Sequence, residues 1–170
     1  EHFDRFYKPT WSPERLRGHM YTCHFSVLRM TCVREVGGFH EGAEGSQDHD
    51  LALRVTEIAR RVVHIPDVLY HWRVIPGSAA GDQEAKPYAW HAGRRVVQAH
   101  LDRVGIDGTV ELGPTRGTYR IHRRLDPAVR VSVIIPTRGT DALVWGERRV
   151  FVVEAVRSLL ARAGHENLEI

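Results

Sequence analysis

The feature that most constrains the fold is a nearly continuous apolar run at residues 130–136, RVSVIIP, near the carboxyl end of the chain. β-branched residues fill the run and a proline ends it, a pattern typical of a central parallel strand buried on both faces. Apolar residues at helical spacing follow from about residue 147 to 162, and residues 167–170 fit the start of a further strand. The run therefore predicts the opening of a parallel α/β sheet, a βαβ unit that is begun but not completed.

Three further segments carry the start and stop signals of helices. Residues 12–14, Ser-Pro-Glu, combine an N-cap, a proline at the first helical position and an acid in the first turn. Residues 45–46, Gly-Ser, precede an apolar stripe that includes Leu51 and Val55, and Gly105 stands where a glycine commonly follows a helix. These signals predict helices near residue 16, over residues 47–60 and over residues 87–104.

Runs of β-forming residues predict strands between these helices. Residues 21–28 alternate loosely, and residues 61–75 are rich in apolar residues around Pro66, which predicts two short strands or one edge strand broken by the proline. From residue 105 onward the composition shifts to glycine, proline, threonine and arginine, with alternating runs at 109–112 and 118–121. We interpret this stretch as a linker with strand-like pieces.

The charge distribution argues against a nucleic-acid binder. The net charge is +3, and arginine supplies nearly all of the 24 basic residues. Most arginines lie beside acids, as in Glu14-Arg15 and Asp102-Arg103, whereas a nucleic-acid surface concentrates basic residues on one face. One stretch is an exception and keeps nucleic-acid binding open as an alternative, for which salt-sensitive retention on DNA or RNA is the expected signature. Its arginines are Arg116, Arg120, Arg123, Arg124 and Arg130.

Cysteine content and hydropathy indicate a reducing compartment and no membrane span. Cys23 and Cys32 form neither a CxxC pair nor the ladder of a disulfide scaffold, so we interpret them as buried or half-buried thiols. No apolar run approaches the roughly 20 residues that cross a bilayer, and the first residues lack signal-peptide character. The expected location is the cytoplasm, with attachment at the inner face of the membrane through other parts of a longer chain as an alternative.

Three segments of the chain carry a functional signal in combination. They are Gly37-Gly38-Phe39 with residues 45–51, GSQDHDL; residues 69–73, LYHWR; and residues 131–139, VSVIIPTRG. Together they resemble the family-2 glycosyltransferases, which have the GT-A fold, an α/β, Rossmann-like fold for nucleotide-diphospho-sugar transfer. The resemblance covers nearly the whole chain apart from the linker.

The resemblance implies a nucleoside-diphosphate sugar as donor, a glycan or lipid-linked acceptor, and a divalent metal, manganese or magnesium, in the complete enzyme. It implies inverting sugar transfer in the biosynthesis of a cell-envelope polysaccharide, with no nucleic-acid partner. In this family the nucleotide-binding half precedes the acceptor-binding half, but the strand that opens such a domain comes last here. The resemblance therefore implies a tandem enzyme, in which residues 1–104 are the acceptor-side half of one GT-A domain, 105–128 a linker and 129–170 the start of a second.

Asp48 is the candidate general base. Moving a sugar from a diphosphate to a hydroxyl requires a group that removes the hydroxyl proton. Asp48 lies in the first turn of its predicted helix, where the macrodipole favours an ionised carboxylate by about 0.3–1 kcal/mol. It shares a stripe with Leu51 and Val55 and is therefore expected to face the protein body. The simpler interpretation is an acid that only stabilises the helix end, and the flanking GGF and HW segments favour the base.

The resemblance implies supporting functions for the residues around Asp48. Asp50 falls on the other side of the helix with Arg54, where a surface ion pair or support of a loop is expected. Gln47 stands where the family more often has glutamate, so an ionic function is not expected there. The remaining acceptor-side or loop-supporting candidates are Gly38, Phe39, Trp72 and Arg73, of which the last two either flank the sugar or diphosphate or only close the core and cap a loop.

Two further sites follow from the resemblance. His71 corresponds to a late histidine that serves as a third metal ligand in some GT-A enzymes, although no HxxxH or HExxH pair supports a zinc site and a structural histidine is the favoured alternative. Pro136, Thr137 and Arg138 follow the buried strand at its carboxyl edge, where open α/β sheets bind ligands. They are the expected nucleotide-binding residues of the second domain, with an ordinary turn as the alternative.

The expected completeness of the site is limited, because the family's nucleotide-gripping carboxylate and DxD motif follow later strands than the one that begins here. The isolated chain is therefore expected to be inactive. The main alternative from another functional class is a noncatalytic glycan-binding or scaffold module. Metal-dependent binding of a nucleotide sugar by the full-length protein discriminates between the two.

Overall fold

A computed structural model describes residues 5–73 and 87–170, and the chain divides into two compact units, Glu1–Arg123 and Arg124–Ile170. It is a mixed α/β protein whose described residues form three two-stranded sheets. The GT-A assignment and the division into two transferase domains stay predictions. No helix within the described ranges is both long and apolar enough to cross a membrane.

The helices of the first unit follow the sequence signals closely. Helix α1 begins after Ser12, whose hydroxyl oxygen accepts a hydrogen bond from the Arg15 backbone N–H at 3.2 Å, as the N-cap prediction requires. The predictions of helices over residues 47–60 and 87–104 are confirmed to within two residues at each end. The unit contains α1 (Pro13–Gly18), α2 (Met30–Glu35), α3 (Gln47–Ile58) and α4 (Pro87–Arg103).

A hairpin completes the first unit and lies within the stretch that the sequence predicts as a linker. Strands β1 (Gly108–Leu112) and β2 (Tyr119–Arg123) pair in antiparallel register, with Val110 opposite Ile121. The strand-like pieces are therefore confirmed, but they belong to the packed body, because Val110 and Tyr119 are buried in the same core as α3 and α4. That core consists of Leu16, Tyr21, Ala43, Ala52, Leu53, Val96, Val97, Leu101, Val110 and Tyr119.

Two predicted strands of the first unit are wrong over the described residues. Residues 21–28 form turns and bends, and Cys23 has a φ of 27°, in the left-handed region that an extended strand does not visit. Residues 61–73 run without regular structure, because no other segment in the described ranges pairs with them and Pro66 lacks a donor. The last two residues of that predicted strand, 74 and 75, lie outside the described residues.

The second unit has the predicted order of elements with different detail. It contains β3 (Val131–Ser132), β4 (Asp141–Val144), β5 (Glu147–Val150), α5 (Phe151–Arg162) and β6 (Leu168–Glu169). Strand β3 precedes α5 in the chain and β6 follows it. The two strands pair in parallel, as a βαβ unit requires. The sequence does not predict the β4–β5 hairpin. Because β5 extends to Val150, α5 begins at Phe151 rather than at the expected residue 147.

The buried central strand predicted at residues 130–136 is not found in that form. Only Val131 and Ser132 are paired, and Ile134 is 90% exposed. A strand buried on both faces needs neighbouring strands and covering helices, and within residues 124–170 β3 has the single neighbour β6. The run is therefore apolar enough for a buried central strand, but residues 124–170 do not supply the elements that would bury it.

Candidate functional site

The first turn of α3 is fixed in place by the residues just before it. Gly45 has a φ of 83°, and a Cβ built there would lie 2.5 Å from the Cβ of Ala89. Ser46 is 7% exposed and donates a hydrogen bond to the Ala89 carbonyl oxygen at 2.7 Å. The Tyr119 hydroxyl also approaches Ser46, since the hydroxyl oxygens of both residues lie beside Gly93. The start of α3 is therefore held against both α4 and the hairpin.

The approach of Tyr119 to Ser46 depends on Gly93 in α4. A Cβ at position 93 would lie 1.8 Å from the Tyr119 hydroxyl oxygen and 3.0 Å from the Ser46 hydroxyl oxygen. A glycine inside a helix usually weakens it, by roughly 1 kcal/mol relative to alanine. Here the missing side chain makes room for the contact that fixes the neighbouring helix. A lone glycine in an otherwise regular helical pattern is the sequence signal for such a close approach.

Asp48 lies in the first turn of α3, as predicted, but its side chain is exposed rather than turned towards the protein body. The stripe argument is wrong because α3 is buried on all sides from His49 to Val55. Position along the helix axis, and not the helix face, decides exposure here, since the exposed residues of α3 are Gln47 and Asp48 at its start and Ile58 at its end. The carboxylate accepts a hydrogen bond from the His49 backbone N–H at 2.9 Å.

The negative charge of Asp48 affects the pKa of two neighbouring groups. Burial raises the pKa of the Cys23 thiol, and the Lys8 ammonium opposes this shift while Asp48 adds to it. Burial likewise raises the pKa of the Tyr119 phenol, with the hydrogen bond to Ser46 opposing the shift and Asp48 adding to it. Asp48 is thus an accessible carboxylate within electrostatic reach of the segment that follows Tyr21 and of the hairpin.

Asp50 does not form the surface ion pair that the sequence predicts. It is 5% exposed, and its partner Arg54, one turn later, is 4% exposed. The Arg54 Nε–H donates to Asp50 Oδ2 at 3.0 Å, and a second N–H of the guanidinium reaches the same oxygen. The pairing of the two residues is confirmed, whereas their exposure is wrong because the middle of α3 has no solvent-facing side.

The alternative expectation for Asp50, support of a loop, matches what Arg54 contacts. Its guanidinium donates to the carbonyl oxygens of Val36 at 2.6 Å and Gly38 at 2.7 Å. Gly37 and Gly38 have φ values of 81° and 71°, which explains the glycine pair in this turn. The buried ion pair therefore fixes the glycine turn to α3, and the next residue, Phe39, is 68% exposed. Gln47, the other supporting candidate, is exposed beside Asp48.

His49 is a structural residue that the sequence analysis did not single out. It is 2% exposed, its Nε2 lies 2.7 Å from the Leu16 carbonyl oxygen, and its ring lies 5.8 Å from the ring of Tyr119. A carbonyl oxygen only accepts, so Nε2 carries the proton and donates it. No alternation in the sequence marks this residue, because Asp48 before it is exposed whereas Asp50 after it is buried.

Trp72 belongs to a group of exposed aromatic rings, which we call the aromatic cluster and which consists of His24, Phe25, Tyr70 and Trp72. The Trp72 ring meets the His24 ring edge-on at 4.8 Å, and Phe25 is parallel to Tyr70 with centroids 6.2 Å apart. Phe25 is 64%, Trp72 51% and Tyr70 45% exposed. Because these rings lie outside the core, the alternative prediction that Trp72 closes the core is wrong. Arg73, the neighbouring candidate, is exposed.

His71 is exposed, and the described residues do not assemble a metal site around it. No group of three histidine, cysteine, aspartate or glutamate side chains converges anywhere in the described ranges. The donor set present in this part of the chain therefore does not fit a divalent metal on its own, and we derive no chemical step through one. The metal-ligand function of His71 stays a prediction.

In the second unit, Pro136, Thr137 and Arg138 line an open cleft of about 380 Å³. The opposite wall is the start of α5, with Phe151, Val152 and Ala155. The three predicted nucleotide-binding residues are thus brought to one concave surface, on the loop that follows β3. Their predicted ligand is untested.

The arginines that keep nucleic-acid binding open as an alternative are partly engaged in ion pairs. Arg123 contacts both carboxylate oxygens of Glu14, at 2.7 and 2.6 Å, and Arg130 lies 3.7 Å from Glu169. Charges that are matched by acids contribute little to the attraction of phosphate groups. The ion pairs therefore disfavour this alternative.

Comparison with known proteins shows two relatives along nearly the whole chain. It is 42% identical over 171 residues to an uncharacterized protein, y4gI, of Sinorhizobium fredii (strain NBRC 101917 / NGR234), covering 98% of this chain and 18% of that protein. It is 34% identical over 165 residues to the O-antigen biosynthesis protein RfbC of Myxococcus xanthus, covering 97% of this chain and 12% of that protein. No family model and no solved structure matches. The chain is therefore related to small parts of much longer proteins.

Proposed function

We propose that this chain is part of a glycosyltransferase of polysaccharide biosynthesis, in which Asp48 removes the proton from the acceptor hydroxyl. The observation that carries the proposal is the accessible Asp48 carboxylate at the start of a helix that is buried from His49 to Val55. The relationship to an O-antigen biosynthesis protein over 97% of the chain supports the same class of reaction. Sugar transfer from a nucleoside diphosphate to a glycan hydroxyl is the step by which such polymers grow.

The surroundings of Asp48 suit a general base. A base must be ionised and must reach its substrate, and Asp48 is exposed at a helix N-terminus, where the macrodipole stabilises the negative charge. Its helix is held by the Asp50–Arg54 pair and by His49, so the position of the carboxylate is fixed by buried contacts. A divalent metal in the complete enzyme would neutralise the leaving diphosphate, and residues beyond this chain would have to hold it.

The second unit fits the start of another nucleotide-binding domain in this proposal. Its parallel β3–α5–β6 arrangement is the opening of an α/β sheet, and the cleft beside Pro136, Thr137 and Arg138 lies after the first strand. The proposed enzyme is thus a tandem GT-A protein of family 2, with the acceptor side of one domain followed by the start of the next.

A noncatalytic glycan-binding module is the second candidate, and the aromatic cluster is the observation that raises it. Exposed rings such as those of Phe25 and Trp72 offer apolar faces against which sugar rings can stack. This property would serve an acceptor site as well as a pure binding site, so the cluster alone does not separate the two candidates. Catalysis separates them.

The deciding experiment compares the full-length protein with the isolated 170-residue chain. Both would be incubated with manganese or magnesium, a panel of nucleoside-diphosphate sugars and oligosaccharide acceptors, and release of the nucleoside diphosphate would be measured. We expect acceptor-dependent release by the full-length protein alone. Acceptor binding without release by the full-length protein would favour the binding module, and robust transfer by the isolated chain would contradict the tandem arrangement.

A further inference from the structure

The first unit also has a concave surface, and its chemical character is not used by the proposed reaction. It is an open cleft of about 700 Å³, lined by Lys8, Trp11, Arg61 and His64 among others. We call it the basic cleft. Its lining holds two cations and an imidazole, and no carboxylate is among the described residues that line it. Uncompensated positive charge around an aromatic ring is the character of a site for an anionic ligand.

The cations of the basic cleft differ from three arginines of this unit that are bound to carboxylates. Arg17, Arg54 and Arg103 are paired with acids and so serve the structure. In contrast, the side chains of Arg61 and His64 have no hydrogen bond or ion pair with the described part of the chain. The Lys8 ammonium is bonded to backbone oxygens, those of Thr22 and His24, the latter at 2.8 Å, and so keeps its charge unmatched. These charges are therefore available to a ligand.

Lys8 also connects the basic cleft with the candidate acceptor site. The carbonyl oxygen that it binds belongs to His24, a member of the aromatic cluster. The charges of Lys8 and Asp48 both act on the thiol of Cys23, the residue next to His24. An extended glycan with its reactive hydroxyl near Asp48 would thus pass the aromatic cluster and reach the basic cleft, where the half-buried Trp11 offers a further ring face.

We propose that the basic cleft binds a negatively charged group of the acceptor, a carboxylate on a sugar or a phosphate that links the glycan to its carrier. The glycan part of this inference rests on the proposed function, whereas the anionic part rests on the cleft alone. Arg61 is the main contact, because a guanidinium matches the two oxygens of a carboxylate or phosphate with two parallel N–H groups. His64 adds an N–H donor from the same segment.

Binding by the 170-residue chain tests the proposal without requiring catalysis. The probes are a trigalacturonate, a neutral galactose trisaccharide and inorganic diphosphate, with affinities measured by isothermal titration calorimetry at low and moderate salt. We expect at least one anionic probe to bind, and Arg61→Gln to weaken it by about tenfold, as loss of a charge-assisted contact should. Preference for trigalacturonate assigns the anion to a sugar, and preference for diphosphate assigns it to the linkage.

Arg60→Gln is the matched control, because Arg60 is exposed next to Arg61 and does not line the cleft. His64→Gln is a second test from within the cleft, and thermal melting would verify that every variant is folded. Equal affinities for the Arg60 and Arg61 variants, binding of neither anionic probe, or equally tight binding of the neutral trisaccharide would each overturn the proposal. Anion binding that depends on Arg61 in a protein without transfer activity would instead reject only the proposed function.

Discussion

The guanidinium of Arg54 binds the carboxylate of Asp50 inside the protein and, with its remaining N–H groups, the carbonyl oxygens of Val36 and Gly38. The ion pair thus neutralises a buried charge. The same guanidinium satisfies two backbone acceptors and fixes the end of the glycine turn. Asp48 belongs to the same helix and lies only two positions before Asp50, yet the side chain of Asp48 is exposed and that of Asp50 is buried. Their substitutions should therefore have opposite consequences.

Asp50→Asn should destabilise the fold. The substitution keeps the shape of the side chain but leaves the Arg54 charge buried without its counter-ion, which typically costs about 3–5 kcal/mol. Chemical denaturation of the full-length protein, followed by a probe of the first unit, would measure the loss. Arg54→Lys should also destabilise, since an ammonium cannot reach the carboxylate and both carbonyls in the same way. A change below about 0.5 kcal/mol, the usual range of a surface substitution, would contradict the buried pair.

Asp48→Asn should remove most sugar transfer while leaving the fold nearly unchanged. Asparagine cannot accept a proton near neutral pH, so loss of the general base should reduce the rate by roughly 10²–10⁴-fold. As a helix-end charge Asp48 contributes at most about 1 kcal/mol to stability. Steady-state rates and melting temperatures of the full-length protein would be compared with those of wild type.

The control for Asp48→Asn is Asp102→Asn, because Asp102 is an exposed acid on α4 whose carboxylate accepts a hydrogen bond from the side chain of Gln98. Asp50→Asn is unsuitable as a control, since its expected instability would lower activity for another reason. If Asp48→Asn kept transfer within a few-fold of wild type, the base would have to be another group.

Gly93→Ala should destabilise the first unit even though alanine favours helices. The added methyl group would overlap the Tyr119 hydroxyl, and forced overpacking of this kind typically costs about 1–3 kcal/mol. Gly18→Ala is the matched control, because a Cβ there would meet only the Tyr119 carbonyl oxygen at 4.0 Å. Thermal unfolding of both variants would compare them. Equal melting temperatures would mean that Tyr119 does not approach α4 so closely.

The stability of the first unit should fall as the pH decreases below about 6.5, the ordinary pKa of histidine. Burial lowers the pKa of His49, and burial also lowers that of His100, although Glu57 opposes the second shift. Arg17 Nε–H donates to His100 Nε2 at 3.1 Å, so the neutral ring carries its proton on Nδ1, 2.6 Å from Glu57. Both rings are therefore neutral in the folded state and gain protons more readily when unfolded.

The sign follows from proton uptake, since the unfolded chain binds more protons once the pH falls below the ordinary pKa. Denaturation at pH 7.5 and 5.5 would measure the loss, and staying above pH 5 separates it from carboxyl groups such as Glu57, whose pKa lies below its ordinary value. His49→Gln, which keeps a donor for the Leu16 carbonyl oxygen, should reduce the pH dependence. Equal or greater stability at pH 5.5 would show that these rings are not neutral by burial.

The sequence predicts the helices of the first unit well, because Ser12 and Gly105 are local signals that depend on few other residues. The exposure of Asp48 and the burial of Asp50 were not predictable from helical periodicity, since α3 is covered on every side from His49 to Val55. The burial of the hairpin was also hidden, because it depends on the contact between Tyr119 and α4. Such contacts join residues that are far apart in the sequence, so the spacing of apolar residues within a segment does not indicate them.

The close packing of Tyr119 against α4 at Gly93 determines where this chain can be divided. A piece that stops at residue 104 keeps every predicted residue of the acceptor side but exposes the core surfaces that Val110 and Tyr119 cover. A piece that continues through Arg123 retains them. In chimeras that exchange this region between related proteins, the junction therefore belongs after the hairpin, and a donor sequence with a larger residue at position 93 calls for a smaller partner at 119.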